Sequence, residues 1–214
     1  MEETFLIAGL GNPGKGYAAT RHNVGFMVLD RLAKRLGAAW EMNKKFAAHL
    51  AKGSQDGGTT LLCKPQGYMN LSGQSVVPLA QYYQIPHGRI MVVVDDLDLP
   101  LGTVRMRPGG GTGGHRVLDS IQELLGKDEF ARLRLGIGRP EPNREVSGFV
   151  LGQFAETETE LLERVLETAT DQLTCWVLQG IGPAMNNYNG DYSPKENETD
   201  DEIRRNDHPE GNGT

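Results

Sequence analysis

TFLIAGLGNPGKGYAATRHNVG, residues 4–25, is the stretch around which the rest of this 214-residue chain is organised. Phe5–Leu10 is a short apolar run bounded by glycine, which predicts a buried strand. Gly9-Leu10-Gly11-Asn12-Pro13-Gly14 follows, and it cannot be helical because Pro13 restricts Asn12 to extended backbone. Its glycines let the main chain pass close to a ligand. Arg21-His22-Asn23 then precedes an amphipathic pattern, Val24, Val28, Leu32 and Leu36, that Gly37 stops. Strand, tight loop and helix in this order predict an α/β fold with a site at the strand's end. Gly9, Gly11 and Gly14 also fit the dinucleotide fingerprint G-x-G-x-x-G. That motif requires a helix opening at its third glycine, and here Lys15-Gly16-Tyr17 intervenes. An ordinary glycine-rich turn without chemistry is the other plain alternative.

At 38% hydrophobic, the chain has enough apolar residues for one globular domain with a proper core. No basic leader precedes an apolar segment, and the longest apolar runs are too short to span a bilayer. Cys63 and Cys175 lie in no ligand spacing and read as buried small hydrophobes. The expectation is a soluble, cytoplasmic protein. The net charge of −6 argues at first against a nucleic-acid partner, but its distribution does not. From Lys195 onward there are seven acids and three bases in a tract with almost nothing apolar. The expected organisation is a folded domain over residues 1–190 and an acidic, disordered C-terminal tail over 191–214. Without residues 195–214 the body is nearly balanced, with 21 acids and 19 bases. Leu101–Arg144 is locally basic, which suits phosphate binding as well as plain solvation.

Along the chain, Asn23 reads as a helix cap, and Phe46–Lys52 and Thr59–Lys64 read as strands around an Asp56-Gly57-Gly58 hairpin turn. Ser72 can cap a helix to about Gln84, although Pro78 inside it conflicts with that reading. Ile90–Val94 is a continuous β-branched run, the mark of a strand covered on both faces. It ends in Asp95-Asp96-Leu97-Asp98, at the strand edge where open α/β sheets bind ligands. Thr103–Arg107 and Arg132–Ile137 read as further strands, and Val146–Leu151 as an edge strand. A second glycine-rich loop, Gly109–His115, opens a helix ending at Gly126, and Thr157-x-x-Glu160 reads as a capping box for a long helix to Gly180. The predicted class is a single-domain three-layer α/β/α sandwich around a mixed twisted sheet.

No serine elbow, zincin motif or paired C-x-x-C is present. His49, His87 and His208 read as solvated surface, and His115 either braces its glycine loop or acts in the site. If the first strand and the Ile90–Val94 strand run parallel, His22 faces Asp95 across one sheet edge. A His–Asp pair without a nucleophile suggests a general base activating water, the carboxylate holding the ring's tautomer. A structural histidine capping its helix stands beside that reading.

Five ordered blocks carry a resemblance. FLIAGLGNPGKGYAATRHNVGF, KPQGYMNLSG, VVVDDLDLPLG, GGGTGGH and RLRLGIGRP resemble the signature blocks of bacterial-type peptidyl-tRNA hydrolase, over the span Phe5 to Asn187. The resemblance implies hydrolysis of the ester joining a peptide to the 3′-terminal ribose of tRNA, on an α/β/α sandwich, as a monomer, without metal or cofactor. It implies that His22 is the catalytic base and Asp95 the carboxylate stabilising it. Asn12 matches the amide that tells a blocked from a free amine. Tyr17, Tyr68 and Asn70 match residues contacting the tRNA end, and Met69 lines the same crevice. His115 and Arg116 complete the expected binding set for the 3′ end and acceptor stem.

Two positions depart from the pattern: Arg116 stands where many members have Asn, and Val117 where Gly is usual. A guanidinium only donates, whereas an amide also accepts, so Arg116 either contacts phosphate from the crevice or turns outward as a solvated side chain. Tyr68 offers a stacking face for a terminal base. Arg105, Arg107, Arg132 and Arg134 are candidates for phosphate contacts. The resemblance also leaves a non-catalytic RNA-binding protein on the same scaffold as an alternative. The joint presence of Asn12, His22, Asn70 and Asp95 favours the enzyme.

Overall fold

The computed structural model describes residues 3–55, 58–112, 114–126, 129–143 and 145–194. The β-branched run becomes β5 (Ile90–Asp96), buried at every position, so it needs covering layers on both sides. β1 (Thr4–Gly9) pairs with it in parallel, Gly9 beside Val93. The sheet runs β2 (Glu41–Asn43), β3 (Ala48–Gln55), β4 (Gly58–Pro65), β1, β5, β7 (Ala131–Gly136), β6 (Thr103–Arg107) and β8 (Gly190–Asp191). β4, β1, β5 and β7 are mutually parallel, while β2, β3, β6 and β8 join antiparallel. The sheet is mixed, as its sequence pattern predicts.

Alternation along β5 splits the core in two. Met91 and Val93 face α1 (Val24–Arg35), α5 (Thr159–Gln179) and α6 (Ile181–Tyr188). Ile90, Val92 and Val94 face α2 (Gly73–Tyr82) and α3 (Arg116–Leu125). These are the three layers. Among the described residues no helix is long and apolar enough to cross a membrane. Both cysteines are buried, and burial pushes the Cys63 thiol up to about 12, so it is inert.

Several local expectations are corrected. Val146–Val150 forms a helix, α4, rather than an edge strand. Val146, Phe149 and Val150 follow helical spacing, and the sheet edges belong to β2 and β8. Asn23 does not cap α1, and the Ser72 hydroxyl donates to the Met69 carbonyl at 2.7 Å instead of capping α2. Pro78 sits inside α2 on its exposed side, four residues after Gln74, which is also exposed. The Thr157 box is replaced by an earlier contact: Glu158 accepts the Ala155 amide at 2.7 Å, and α5 begins at Thr159. β3 begins at Ala48 rather than Phe46, because Ala47 takes a left-handed φ of 45° in the preceding turn. His49 and His87 are half-buried rather than solvated.

β2, α6 and β8 were not expected. The chain continues in order past residue 190: β8 lies on β6, and the Asn189 side chain extends the pairing. Its Oδ1 accepts the Met106 amide at 2.6 Å and its Nδ2 donates to the Met106 carbonyl at 3.1 Å. Hairpin residues 56 and 57 and tail residues 195–214 lie outside the described residues.

Candidate active site

Glycine sets the site's depth. A Cβ at Gly25 would come within 2.6 Å of the Leu10 and Val93 carbonyl oxygens, and one at Gly9 within 2.5 Å of the Gly25 carbonyl. Only bare backbone lets the start of α1 press onto the ends of β1 and β5. That contact delivers the 3-10 turn Arg21–Asn23 to the carboxyl end of β5. His22 Nδ1 then lies 2.9 Å from both Asp95 carboxylate oxygens. Asp95 is 2% exposed, while the His22 side chain keeps 21%. With its Nδ1–H given to the carboxylate, a neutral imidazole has its Nε2 lone pair free to accept a proton.

His115 approaches the same carboxylate, its Nε2 3.8 Å from Asp95 Oδ1. Burial would raise the Asp95 carboxyl, but His115 and His22 outweigh it and hold it below the usual carboxylate range. Asp95 is therefore an anion flanked by two imidazoles. The His115 contact is thus with Asp95. The next carboxylate has other partners: Asp96 pairs with the Arg134 guanidinium and accepts the Asp98 amide at 2.8 Å.

Asn12 is held by Asn23, which makes no helix cap. The Asn23 side chain accepts the Asn12 amide at 2.8 Å and donates back to the Asn12 carbonyl at 2.9 Å. Buried Asn23 thus closes the first glycine-rich loop like a strand partner and leaves the Asn12 side chain at the crevice wall. No spacing rule links two asparagines eleven apart across a loop; only their shared short stretch hinted at it.

The crevice holds about 890 Å³. Asn12, His22, Tyr68, Met69, Asn70, Asp95 and His115 all line it, together with Arg134 and the α4 residues Val146, Ser147 and Val150. Tyr68 is 79% exposed, so its ring is open to a stacking partner, whereas Met69 is buried. Tyr17 is not in this lining; it stands on the 3-10 turn Lys15–Tyr17 on the outer side of the loop. The Arg116 backbone opens α3, but its side chain lies outside the described residues. Val117 is buried and lines the crevice floor.

Of the four candidate phosphate arginines, Arg132 is corrected. It is 2% exposed, donates to the Gly111 carbonyl at 2.8 Å and lies over the Phe130 ring, so it braces the second glycine-rich loop from inside. Among the described residues no group of three or more His, Cys, Asp or Glu side chains is placed to hold a metal ion.

Residues 6–198 match the family described as Peptidyl-tRNA hydrolase. A peptidyl-tRNA hydrolase of a Synechococcus species is 48% identical over 86% of this chain and 82% of its own length. One from Mycobacterium avium is 45% identical over 87% of this chain and 97% of its own. The crystal structure of peptidyl-tRNA hydrolase from Acinetobacter baumannii superposes with a TM-score of 0.83 at 39% identity, covering 90% of this chain and 97% of that one.

Proposed function

Because this chain belongs to the peptidyl-tRNA hydrolase family, we propose that it hydrolyses the ester between a peptide, or an N-blocked aminoacyl group, and the 3′-terminal ribose of tRNA. The observation that carries the reading is the His22–Asp95 pair, joined at 2.9 Å with the histidine open to the crevice. Asp95 holds the Nδ1–H tautomer, and His22 Nε2 takes a proton from water as the water oxygen attacks the ester carbonyl. The bond to the ribose oxygen then breaks, and the proton passes to that oxygen. The products are a free 3′-hydroxyl on tRNA and the peptide acid.

The ester of a vicinal diol is already reactive. A positioned base contributes about 10²–10⁴ in rate and one donor near the oxyanion about 10²–10³, which suffices without a covalent step. Asn12 supplies an amide on the crevice wall for the peptide group, and Asn70 supplies one for the tRNA end. Tyr68 offers its exposed ring to the terminal base of the 3′ end, with the acceptor stem running toward Arg105 and Arg107. Every group named comes from one chain, which suits a monomer, and a tRNA substrate suits the cytoplasm.

The test offers N-acetyl-aminoacyl-tRNA and free aminoacyl-tRNA side by side. The expected result is rapid release of the blocked amino acid and slow release of the free one. Binding of both without release of either would leave a non-catalytic RNA-binding protein.

A further inference from the structure

We propose that Arg21 is a positioning residue for this hydrolysis, locking the α4 wall of the crevice to the turn that carries His22. The inference rests on the assignment of His22 as the base. The Arg21 side chain is only 9% exposed and touches three separate pieces of the chain. Nη2 donates to Glu158, in the 3-10 turn before α5. Nη1 reaches the carbonyl of Ile137, just beyond the end of β7, at 3.4 Å. The guanidinium lies over two rings, its Cζ 4.6 Å from the Phe149 centroid and 4.7 Å from that of Phe154. The backbone repeats the connection: the Arg21 amide donates to the Gly152 carbonyl at 2.9 Å, and Thr20 forms an antiparallel bridge with Gln153.

Phe149 belongs to the same short helix as Val146, Ser147 and Val150, which face the crevice. The residue next to the base therefore grips the α4 part of the crevice wall. A core needing only bulk would be served by an apolar side chain, without taking a charge out of water. A planar fork with five donors is what can bind a carboxylate and a carbonyl while stacking over two rings. A lysine keeps the charge and loses both the fork and the flat stack. Misplacing reacting groups by about 1 Å costs on the order of 100-fold.

The test compares wild type, Arg21→Lys, Glu158→Ala and His22→Ala on N-acetyl-aminoacyl-tRNA, with free tRNA binding measured alongside. Arg21→Lys is expected to lower kcat/KM by about 10- to 100-fold while free tRNA affinity is unchanged. Glu158→Ala, which attacks the clamp from its solvent side, is expected to lower it several-fold. Amide exchange across residues 146–152 is expected to quicken in both. A folded Arg21→Lys with wild-type kcat/KM overturns the proposal, as does a loss confined to melting temperature. If Arg21→Lys does not fold, Glu158→Ala is judged by the same criterion. His22→Ala separates the two claims: wild-type turnover there sinks the base itself, whereas a dead His22→Ala beside a fully active Arg21→Lys sinks only the clamp.

Discussion

A Cβ added at Gly9 would meet the Gly25 carbonyl oxygen at 2.5 Å, whereas one added at Gly110, Gly111 or Gly114 would meet nothing within 4 Å. The two glycine-rich loops flank one crevice and look alike as strings of letters. The first has glycine at Gly9 because two backbones must touch and at Gly14 because φ is +106°; it carries Asn12 and seats His22. In the second, Gly110 and Gly114 are glycine because φ is +119° and +78°, and Arg132 props the loop at Gly111 from beneath. Glycine therefore answers two different demands, closeness at Gly9 and backbone handedness at Gly14, Gly110 and Gly114. The first-loop side carries the His22–Asp95 pair, and the second loop lines the same crevice through Gly114 and His115.

The sharpest test of that division is His22→Ala against His115→Ala. Losing His22 should lower single-turnover rate by about 10²–10⁴ with tRNA affinity kept. His115→Ala should lower it far less, since Asp95 retains its partner at 2.9 Å. Equal losses would put the second loop in the chemistry too. Next comes Gly25→Ala, which forces a methyl against two carbonyl oxygens and should cost about 3 kcal/mol or more, read from the denaturant midpoint. A midpoint within error of wild type would show that the start of α1 is not seated so closely.

Asn23→Leu strips both partners from the Asn12 main chain. It should cost about 1–3 kcal/mol and slow turnover, because the loop loses its brace. Unchanged activity would mean that the loop holds its own shape. Asp95→Asn carries a pH signature. The native carboxyl lies below its ordinary value, so its contribution to stability is present above about pH 4 and is lost as pH falls through the native value. The stability gap between wild type and Asp95→Asn should therefore close only below about pH 4. Closure near neutrality would contradict an anionic Asp95. Smallest are changes in the second loop: Gly111→Ala, outside the left-handed range and in open space, should gain about 0.4–1 kcal/mol. Gly114→Ala should lose about 1–2 kcal/mol.

Much of this architecture was legible from residue order. The β-branched run at Ile90 announced a central strand, and the carboxylates after it announced the edge where the crevice lies. His22 and Asp95 face each other once β1 and β5 run parallel, as the βα order of residues 4–25 suggests. What stayed hidden depended on contacts across space. Asn23 looked like a cap because a helix begins there, and nothing local reveals that its amide faces Asn12. Val146–Leu151 is too short for its period to separate helix from strand. Arg132 alternates along a strand like a surface residue, and only α3 and the loop above it make that face an interior. Arg21 stood beside the base without a partner in view, since Glu158 and the two phenylalanines come more than a hundred residues later.

The Asn189 side chain, bonded to both main-chain groups of Met106, has a consequence in time. β6 shows its outer edge to water until residues 189–191 arrive, and those residues leave the ribosome after every other described strand and helix. An uncovered edge strand is a template for pairing with another chain. During synthesis the sheet thus stays open on that side after all its earlier strands have formed, and one amide together with a two-residue strand ends the exposure. A chain stopped before Asn189 would carry the whole crevice and still present that edge to its neighbours.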